Sequence, residues 1–225
     1  MMQNIIKEAQ DRGQRILTEI QSKEILSAAG IPAVKTLLAR SKEEAQQLAS
    51  TLGFPTALKV CSPVITHKTD IGGVSLNLSS AEEVGRAYER IVNAAQGNAI
   101  DGVAVQQMVS SGVEVITGTV RDPQFGPMVM FGLGGIFVEV LEDVTFRIVP
   151  LTAEDASEMI SEIKGRRMLE GARGMEPVNK EALVDVLLKL SHLVEKTPQI
   201  SEIDINPLFA DAQGAAAADA RIVLT

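Results

Sequence analysis

The residues able to do chemistry gather in four stretches of the chain. Lys59 stands in ALKV, inside an apolar run whose length suits a buried strand. A lysine is almost never fully buried without a partner. Two readings stay open: an edge strand with Lys59 facing water, or a cation held for phosphate oxygens. SPVITHKTDIGGV, from Ser62, carries His67, one of two histidines, and the pair Gly72 and Gly73 leading into a strand. Glycines let backbone N–H groups approach phosphates closely, though the same pair also closes ordinary turns. A loop histidine is normally a solvated side chain, and a neutral imidazole is also a competent nucleophile near neutral pH. FGLGGIFVEV, from Phe131, is a second glycine-rich turn, followed by the acid Glu139. Arg121 and Arg147 add cations, although Arg121 opens RDPQFGP, which also reads as a hairpin turn. Near the end, EIDINPL places Glu202, Asp204 and Asn206 at alternate positions, hence on one face of a strand. Asp219 follows after a hairpin-length turn. Oxygen ligands from adjacent strands suit Mg²⁺, which completes its shell with water and phosphate oxygens. Three alternating polar residues also describe a solvent face.

Around these residues the helix and strand signals are regular. Thr18 to Gln21, Ser41 with Glu44, and Ser80 with Glu83 read as capping boxes, side chains satisfying free N–H groups at a helix start. The first of these helices ends at Gly30 with Pro32 beyond, and the second at Gly53. AVKTLLA, FPTALKV and GVSLNL read as strands, and the helix from Ser80 runs to about Ala95. From Gly102 the pattern changes. VAVQQMV, GVEVITGTV, PMVMFGLG and VTFRIVP are four strand-like runs in succession, which predicts hairpin-connected antiparallel pairing. Thr152 starts a short helix, and KGRRMLEGARGMEPVN reads as a polar loop. An amphipathic helix then sets Leu183, Val186, Leu187, Leu190 and Val194 on one stripe, with His192 read as structural. ISEIDINPLFA and AADARIVL close the chain as strands, with DAQGAAAADA as the turn between them. Helix and strand alternate in the first half, and the second half is an antiparallel sheet with flanking helices. The expected class is α+β with two subdomains, 1–101 and 102–225. No internal repeat is present.

Composition narrows the function. Of 225 residues, 45% are apolar, enough for a real core. The 21 basic residues against 29 acidic ones give a net charge of −8, which argues against a general nucleic-acid binder. Aromatics are 3% with no tryptophan, so a stacking platform for single strands is not expected. One cysteine rules out an intramolecular disulfide, compatible with a cytoplasmic location. No apolar run approaches the roughly 18–20 residues that span a bilayer, and the charged opening MMQNIIKEAQDRGQRI is not a signal peptide.

Taken together, these segments resemble the ATP-grasp domain of the nucleoside-diphosphate-forming acyl-CoA synthetases. The likeness is strongest to the separate β subunits of ADP-forming acetyl-CoA synthetases, with succinyl-CoA synthetase a more distant relative. It runs from LTEIQSKEILSAAGIP to INPLFADAQG and ADARIVL, nearly the whole chain. ALKV, ITHKTDIGGV and RDPQFGPMVMFGLGGIFVEVLEDVTFRIVPLT carry it most specifically. The resemblance implies an ATP-grasp fold with a nucleotide cleft between two subdomains, ATP or ADP and Mg²⁺ as cofactors, and a CoA-binding α subunit as partner, most simply in an α2β2 assembly. It implies that acyl-CoA, ADP and phosphate are converted reversibly to carboxylate, CoA and ATP, with a phosphoryl group passing through histidine. His67 matches the phosphoryl-accepting histidine, and Lys59 the lysine on the nucleotide phosphates. QQMV, from Gln106 through Met108 and Val109, matches the adenine-side segment. Glu114 lies where ribose contacts are expected. Asn206 and Asp219 match the Mg²⁺ pair, Glu139 is a further candidate acid, and Gly72, Gly73 and Arg121 are further nucleotide candidates.

The sequence admits two other readings. A non-catalytic regulatory ATP-grasp module, of the kind fused to acyltransferases, would not need the full set Lys59, His67, Asn206 and Asp219. An ATP-grasp ligase making amides through an acyl phosphate would not need the histidine loop. The chain has no GxGxxG opening a helix after a strand, so the CoA-binding and acyl-phosphate-forming half is expected on a separate polypeptide or on another part of a fused protein.

Overall fold

A computed structural model of the chain describes residues 1–65, 68–109, 112–135, 143–171 and 176–225. The chain divides into two units. One holds Ile16–Gln21 and Val34–Val109; the other holds Met1–Arg15, Ser22–Ala33 and Ser110–Thr225.

The smaller unit is a four-stranded sheet covered by two helices. Its strands are β1 (Thr36–Ala39), β2 (Thr56–Cys61), β3 (Val74–Leu78) and β4 (Gly102–Gln107). They lie in the order β1-β4-β2-β3, every pair antiparallel. With α1 (Met2–Asp11) and α2 (Glu19–Ala28) earlier in the chain, the covering helices are α3 (Lys42–Leu52) and α4 (Ala81–Ala94). Both begin at the expected cap, but without the full capping box: the Glu44 and Glu83 carboxylates accept from the N–H groups of Arg40 and Ser79, one residue before the cap, at 2.7 Å each. Ser41 Oγ accepts from the Glu44 N–H at 3.1 Å and Ser80 Oγ from the Glu83 N–H at 3.2 Å. Ala45, Ala49, Val84, Ala87 and Ile91 pack on Leu58, Val60, Val103 and Val105. That face of β2 therefore belongs to the core, and period-two alternation turns Ala57, Lys59 and Cys61 to the other face.

The larger unit is a six-stranded sheet. Its strands are β5 (Val113–Asp122), β6 (Gly126–Leu133), β7 (Val144–Ile148), β8 (Ile200–Ala210), β9 (Ala215–Ala217) and β10 (Arg221–Leu224). The order is β10-β8-β5-β6-β7, with β9 also pairing β8. The helices α5 (Ala153–Glu162) and α6 (Lys180–Lys196) cover one face. Leu183, Val186, Leu187, Leu190 and Val194 are buried, the stripe read from the sequence. Thr152 caps α5 in a full capping box with Asp155. The segment read as a polar loop holds a 3-10 turn, Lys164–Met168, whose first N–H groups are taken by Asp143 at 2.7 Å each.

Three expectations change. The division near residue 102 moves, because β4 pairs with β1 and β2 rather than with β5. The run of four strands thus splits after its first member. The opening of the chain also joins the larger unit: Ser22 Oγ accepts from the Ile222 N–H, Lys23 Nζ donates to the Ala218 carbonyl at 2.7 Å, and Ala33 bridges Ala217. Finally, the alanine-rich turn contains β9. Asp211 Oδ1 accepts from the N–H groups of Gln213 and Gly214, turning the chain back so that Ala215–Ala217 pair with β8.

Candidate functional site

Lys59 settles its own ambiguity. Its strand β2 lies between β4 and β3, not at an edge, and Lys59 is 7% exposed. Such a charge needs a counter-ion. Glu19 supplies it, with Oε1 2.9 Å from Lys59 Nζ. The other oxygen of the same carboxylate is 2.6 Å from Lys68 Nζ. The Glu19 side chain is only 2% exposed, so this is a buried carboxylate shared by two ammonium groups. Neither Glu19 nor Lys68 stands out in the sequence as a site residue. Glu19 reads there as one acid in a helix's first turn, within the Thr18–Gln21 capping box, which the structure contains. Its reach to a strand forty positions later has no local signature.

The segment after β2 is anchored at both ends. Ser62 Oγ donates to the Ala99 carbonyl at 2.6 Å and accepts from the N–H groups of Val64 and Ile65. At the other end the glycines close a turn. Gly72 N–H donates to Thr69 O at 3.0 Å and Gly73 N–H to Lys68 O at 2.7 Å. Gly72 has φ +71°, and a Cβ on Gly73 would stand 2.7 Å from Val60 Cγ1 and 2.8 Å from Lys68 O. The glycine pair is thus explained by turn geometry and close packing, with both amides bonded inside the turn. His67 and Glu139 lie outside the described residues.

Gln106 is buried on β4, its Oε1 accepting from Thr36 Oγ1 at 3.3 Å. The Met108 N–H donates to the Pro55 carbonyl, and Val109 beside it is half-buried. In the larger unit, Glu114 is exposed on β5 opposite Phe209, and its carbonyl accepts from the Gly134 N–H. Arg121 is committed elsewhere. Its Nε donates to the Ile200 carbonyl at 2.8 Å and its Nη2 to the Val194 carbonyl at 2.9 Å, fastening the end of α6 to the start of β8. That contact accounts for a cation on a strand without a nucleotide. Arg147 pairs with Glu158 and Glu162, and His192 lies on the solvent side of α6, so it does not pack in the core as its leucine neighbours suggest.

The oxygen-bearing residues of β8 do share a face. Ile203, Ile205 and Leu208 are buried while Asn206 is exposed. Leu208 pairs with Ala217 and Asp204 with Arg221, a register that sets Asp219 opposite Asn206. Glu202 is ion-paired with Arg221. The Asp204 carboxyl is held above the usual carboxylate range by burial first, and by the charges of Glu202 and Asp219, with Arg221 opposing. Among the described residues no three histidine, cysteine or acidic side chains form a metal cage. The register puts Asn206 and Asp219 at opposite positions, where the Asp219 Oδ1 accepts from the Ala220 N–H at 2.8 Å; an amide and a carboxylate are oxygen donors of the hard type that Mg²⁺ takes.

Comparison with known proteins identifies the family. The model of a family described as ATP-grasp domain matches residues 8–224. The chain belongs to that ATP-grasp family. The β subunit of acetate–CoA ligase (ADP-forming) I from Pyrococcus furiosus is 50% identical over 214 residues, covering 93% of this chain and 92% of that one. In acetate–CoA ligase (ADP-forming) I from Archaeoglobus fulgidus, 42% identical, the match covers 99% of this chain and 33% of that longer protein. The acetyl-coenzyme A synthetase 1 of Ca. Korarchaeum cryptofilum, solved with coenzyme A and Ca-AMPCP, superimposes with a TM-score of 0.97 at 43% identity over the whole of both chains. Another structure of that synthetase holds coenzyme A and Mg-AMPPCP with its phosphohistidine segment pointing towards the nucleotide site. This ATP-grasp chain is thus a homologue of ADP-forming acetate–CoA ligase β subunits. No described helix is long and apolar enough to cross a membrane.

Proposed function

We propose that this chain is the nucleotide-handling β subunit of an ADP-forming acyl-CoA synthetase that works with a CoA-binding α subunit. Acyl-CoA, ADP and phosphate give carboxylate, CoA and ATP, and the reverse. One observation carries the reading: a lysine buried in a central strand, in a chain similar to such β subunits along nearly its full length. In this reading Lys59 meets the nucleotide phosphates, while Gln106, Met108, Val109 and Glu114 serve the adenine and ribose. Asn206 and Asp219 hold Mg²⁺, with Glu139 as a further acid. Bound Mg²⁺ neutralises phosphate charge, and the protein's part is to position the phosphates and keep cations against them. His67 accepts the phosphoryl group on a ring nitrogen and passes it to ADP, its ring proton balance restored by solvent. A homologue in which the corresponding segment is one third of a longer protein supports a partner that carries the CoA and acyl half.

The test is reconstitution. Chain and α subunit together should form ATP from acetyl-CoA, ADP and phosphate, and native mass spectrometry should find a hetero-oligomer, most simply α2β2. The chain alone should bind Mg·ADP in a calorimeter but form no ATP. Turnover by the isolated chain at an ordinary enzymatic rate contradicts the two-subunit reading. Equal Mg·ADP affinity in wild type and in a Lys59→Ala, Asp219→Ala variant contradicts the nucleotide assignment.

A further inference from the structure

The turn after α5 carries positive charge that the site above does not use. Lys164, Arg166 and Arg167 fall within KGRR, and no other four consecutive positions of this net-acidic chain hold three basic residues. All three are exposed. The backbone beneath them is fixed. Asp143, itself buried, accepts from the N–H groups of Lys164 and Gly165. Ile163 and Leu169 are buried on either side, and a Cβ on Gly165 would run into Leu133 Cδ1, so only glycine lets the turn lie this close to β6. In a 3-10 turn, side chains three positions apart eclipse at a rise of ~6 Å, so Lys164 and Arg167 stand one above the other. Arg166 turns away, its Nη1 donating to the Ser161 carbonyl at 3.2 Å. The acids along this stretch are engaged: Glu162 with Arg147, Glu170 with Lys180, and Asp143 with the backbone. Among the described residues neither Lys164 nor Arg167 has a side-chain hydrogen bond or an ion-pair partner.

We propose that Lys164 and Arg167 form a binding site for a phosphate monoester dianion. A guanidinium fork and an ammonium group, stacked on a fixed backbone and open to solvent, offer several charged donors to the three oxygens of one phosphate. A protein surface is a poorer fit. Docking patches centre on large apolar or aromatic anchors, and from Pro150 to Thr225 no large apolar side chain is exposed among the described residues. Acyl-CoA, ADP and inorganic phosphate all present phosphate groups, so three sources share this chemistry: inorganic phosphate, the terminal phosphate of the nucleotide, and the 3′-phosphate of coenzyme A. The site goes beyond the proposed function, because it uses none of the residues assigned to the nucleotide, to Mg²⁺ or to phosphoryl transfer.

The test is a titration of the isotope-labelled full chain, followed by the amide NMR signals of residues 164–169. Inorganic phosphate, metal-free ADP, coenzyme A and 3′-dephospho-coenzyme A are added separately at constant ionic strength, with chloride as the control. At least one phosphate probe should shift these signals saturably, with a Kd in the millimolar range or below, as two exposed cations allow. The Lys164→Gln, Arg167→Gln double variant should bind that probe at least tenfold more weakly. Arg166→Gln should stay within about threefold of wild type. The replaced side chains are exposed, so all variants should fold, and an unchanged melting temperature checks this. Tighter binding of coenzyme A than of its 3′-dephospho form assigns the site to the 3′-phosphate. Equal binding of those two assigns it to inorganic phosphate or to ADP, whichever shifts the turn at lower concentration. No saturable shift at the turn with any probe overturns the proposal, and movement of those signals by the α subunit alone would then make the turn a protein contact. Equal affinity in wild type and the double variant overturns it as well. Failure of the reconstituted complex to form ATP bears on the proposed function and leaves this titration to decide the site.

Discussion

Replacing Arg121 by methionine separates a structural cation from a ligand-binding one. The guanidinium joins the last turn of α6 to β8 through the carbonyls of Val194 and Ile200, at 2.9 and 2.8 Å, with a longer contact of 3.5 Å to Thr197. Methionine keeps most of the aliphatic stem, so the change removes bonds more than packing. A lost hydrogen bond from a charged donor costs about 1.5–3 kcal/mol, and loss of a cation at a helix C-terminus about 0.3–1 kcal/mol more. The two strong bonds share one side chain, so their losses do not simply add. A total of about 3 kcal/mol follows, which for a chain of this size lowers the melting temperature by roughly 6–12 °C. Differential scanning calorimetry measures the shift, and titration of Mg·ADP below the new midpoint measures binding. The expected result is a large fall in melting temperature with affinity within about threefold of wild type. An unchanged melting temperature with affinity reduced tenfold or more would refute the reasoning and return Arg121 to the nucleotide.

Three further outcomes are expected. Gly73→Ala forces a methyl into Val60 and the Lys68 carbonyl, and should destabilise the chain by about 1–3 kcal/mol in urea titration; a change within ~0.5 kcal/mol would show that the turn yields. Asp204 has a carboxyl held above its unfolded range, chiefly by burial, so its ionisation opposes folding. Asp204→Asn should therefore be more stable than wild type at pH 7, with the gap closing as pH falls toward 4; a constant gap, or a less stable variant, contradicts this. Cys61 is 3% exposed and burial pushes its thiol up to about 11, leaving about 0.1% thiolate at pH 8. A disulfide reagent should label it only in denaturant, and stoichiometric labelling of the native chain within minutes would contradict that.

What the sequence reveals is what neighbours along the chain decide. Ser41, Ser80 and Thr152 announce helix starts because a cap and its partner are three residues apart. The stripe from Leu183 to Val194 announces α6 for the same reason. The alternation Glu202, Asp204, Asn206 announces one strand face, and the register then sets Asp219 opposite Asn206. Pairing between distant strands leaves no such trace. β4 reads as the first of a meander because periodicity gives a strand's faces and not its neighbours, and so the boundary falls after Val109 instead of before Gly102. The partition of α2 between two units, and the contact of Glu19 with Lys59, depend on the same long-range assembly. Arg121 illustrates the converse: a strand arginine next to a turn looks available until the helix end that it binds is known.

The most direct measurement of the central claim follows phosphate on this chain. With the α subunit present, γ-labelled ATP and Mg²⁺ should place an acid-labile, base-stable phosphate on the β chain, and acetate with CoA should discharge it. His67→Asn keeps size and polarity but removes the nucleophile. It should leave Mg·ADP affinity within about threefold, abolish the label on the β chain, and lower turnover of the reconstituted complex by several powers of ten. Near-normal turnover of the His67→Asn complex, with no label on either form of the β chain, would contradict the account and leave the nucleotide to exchange phosphate with the α subunit directly.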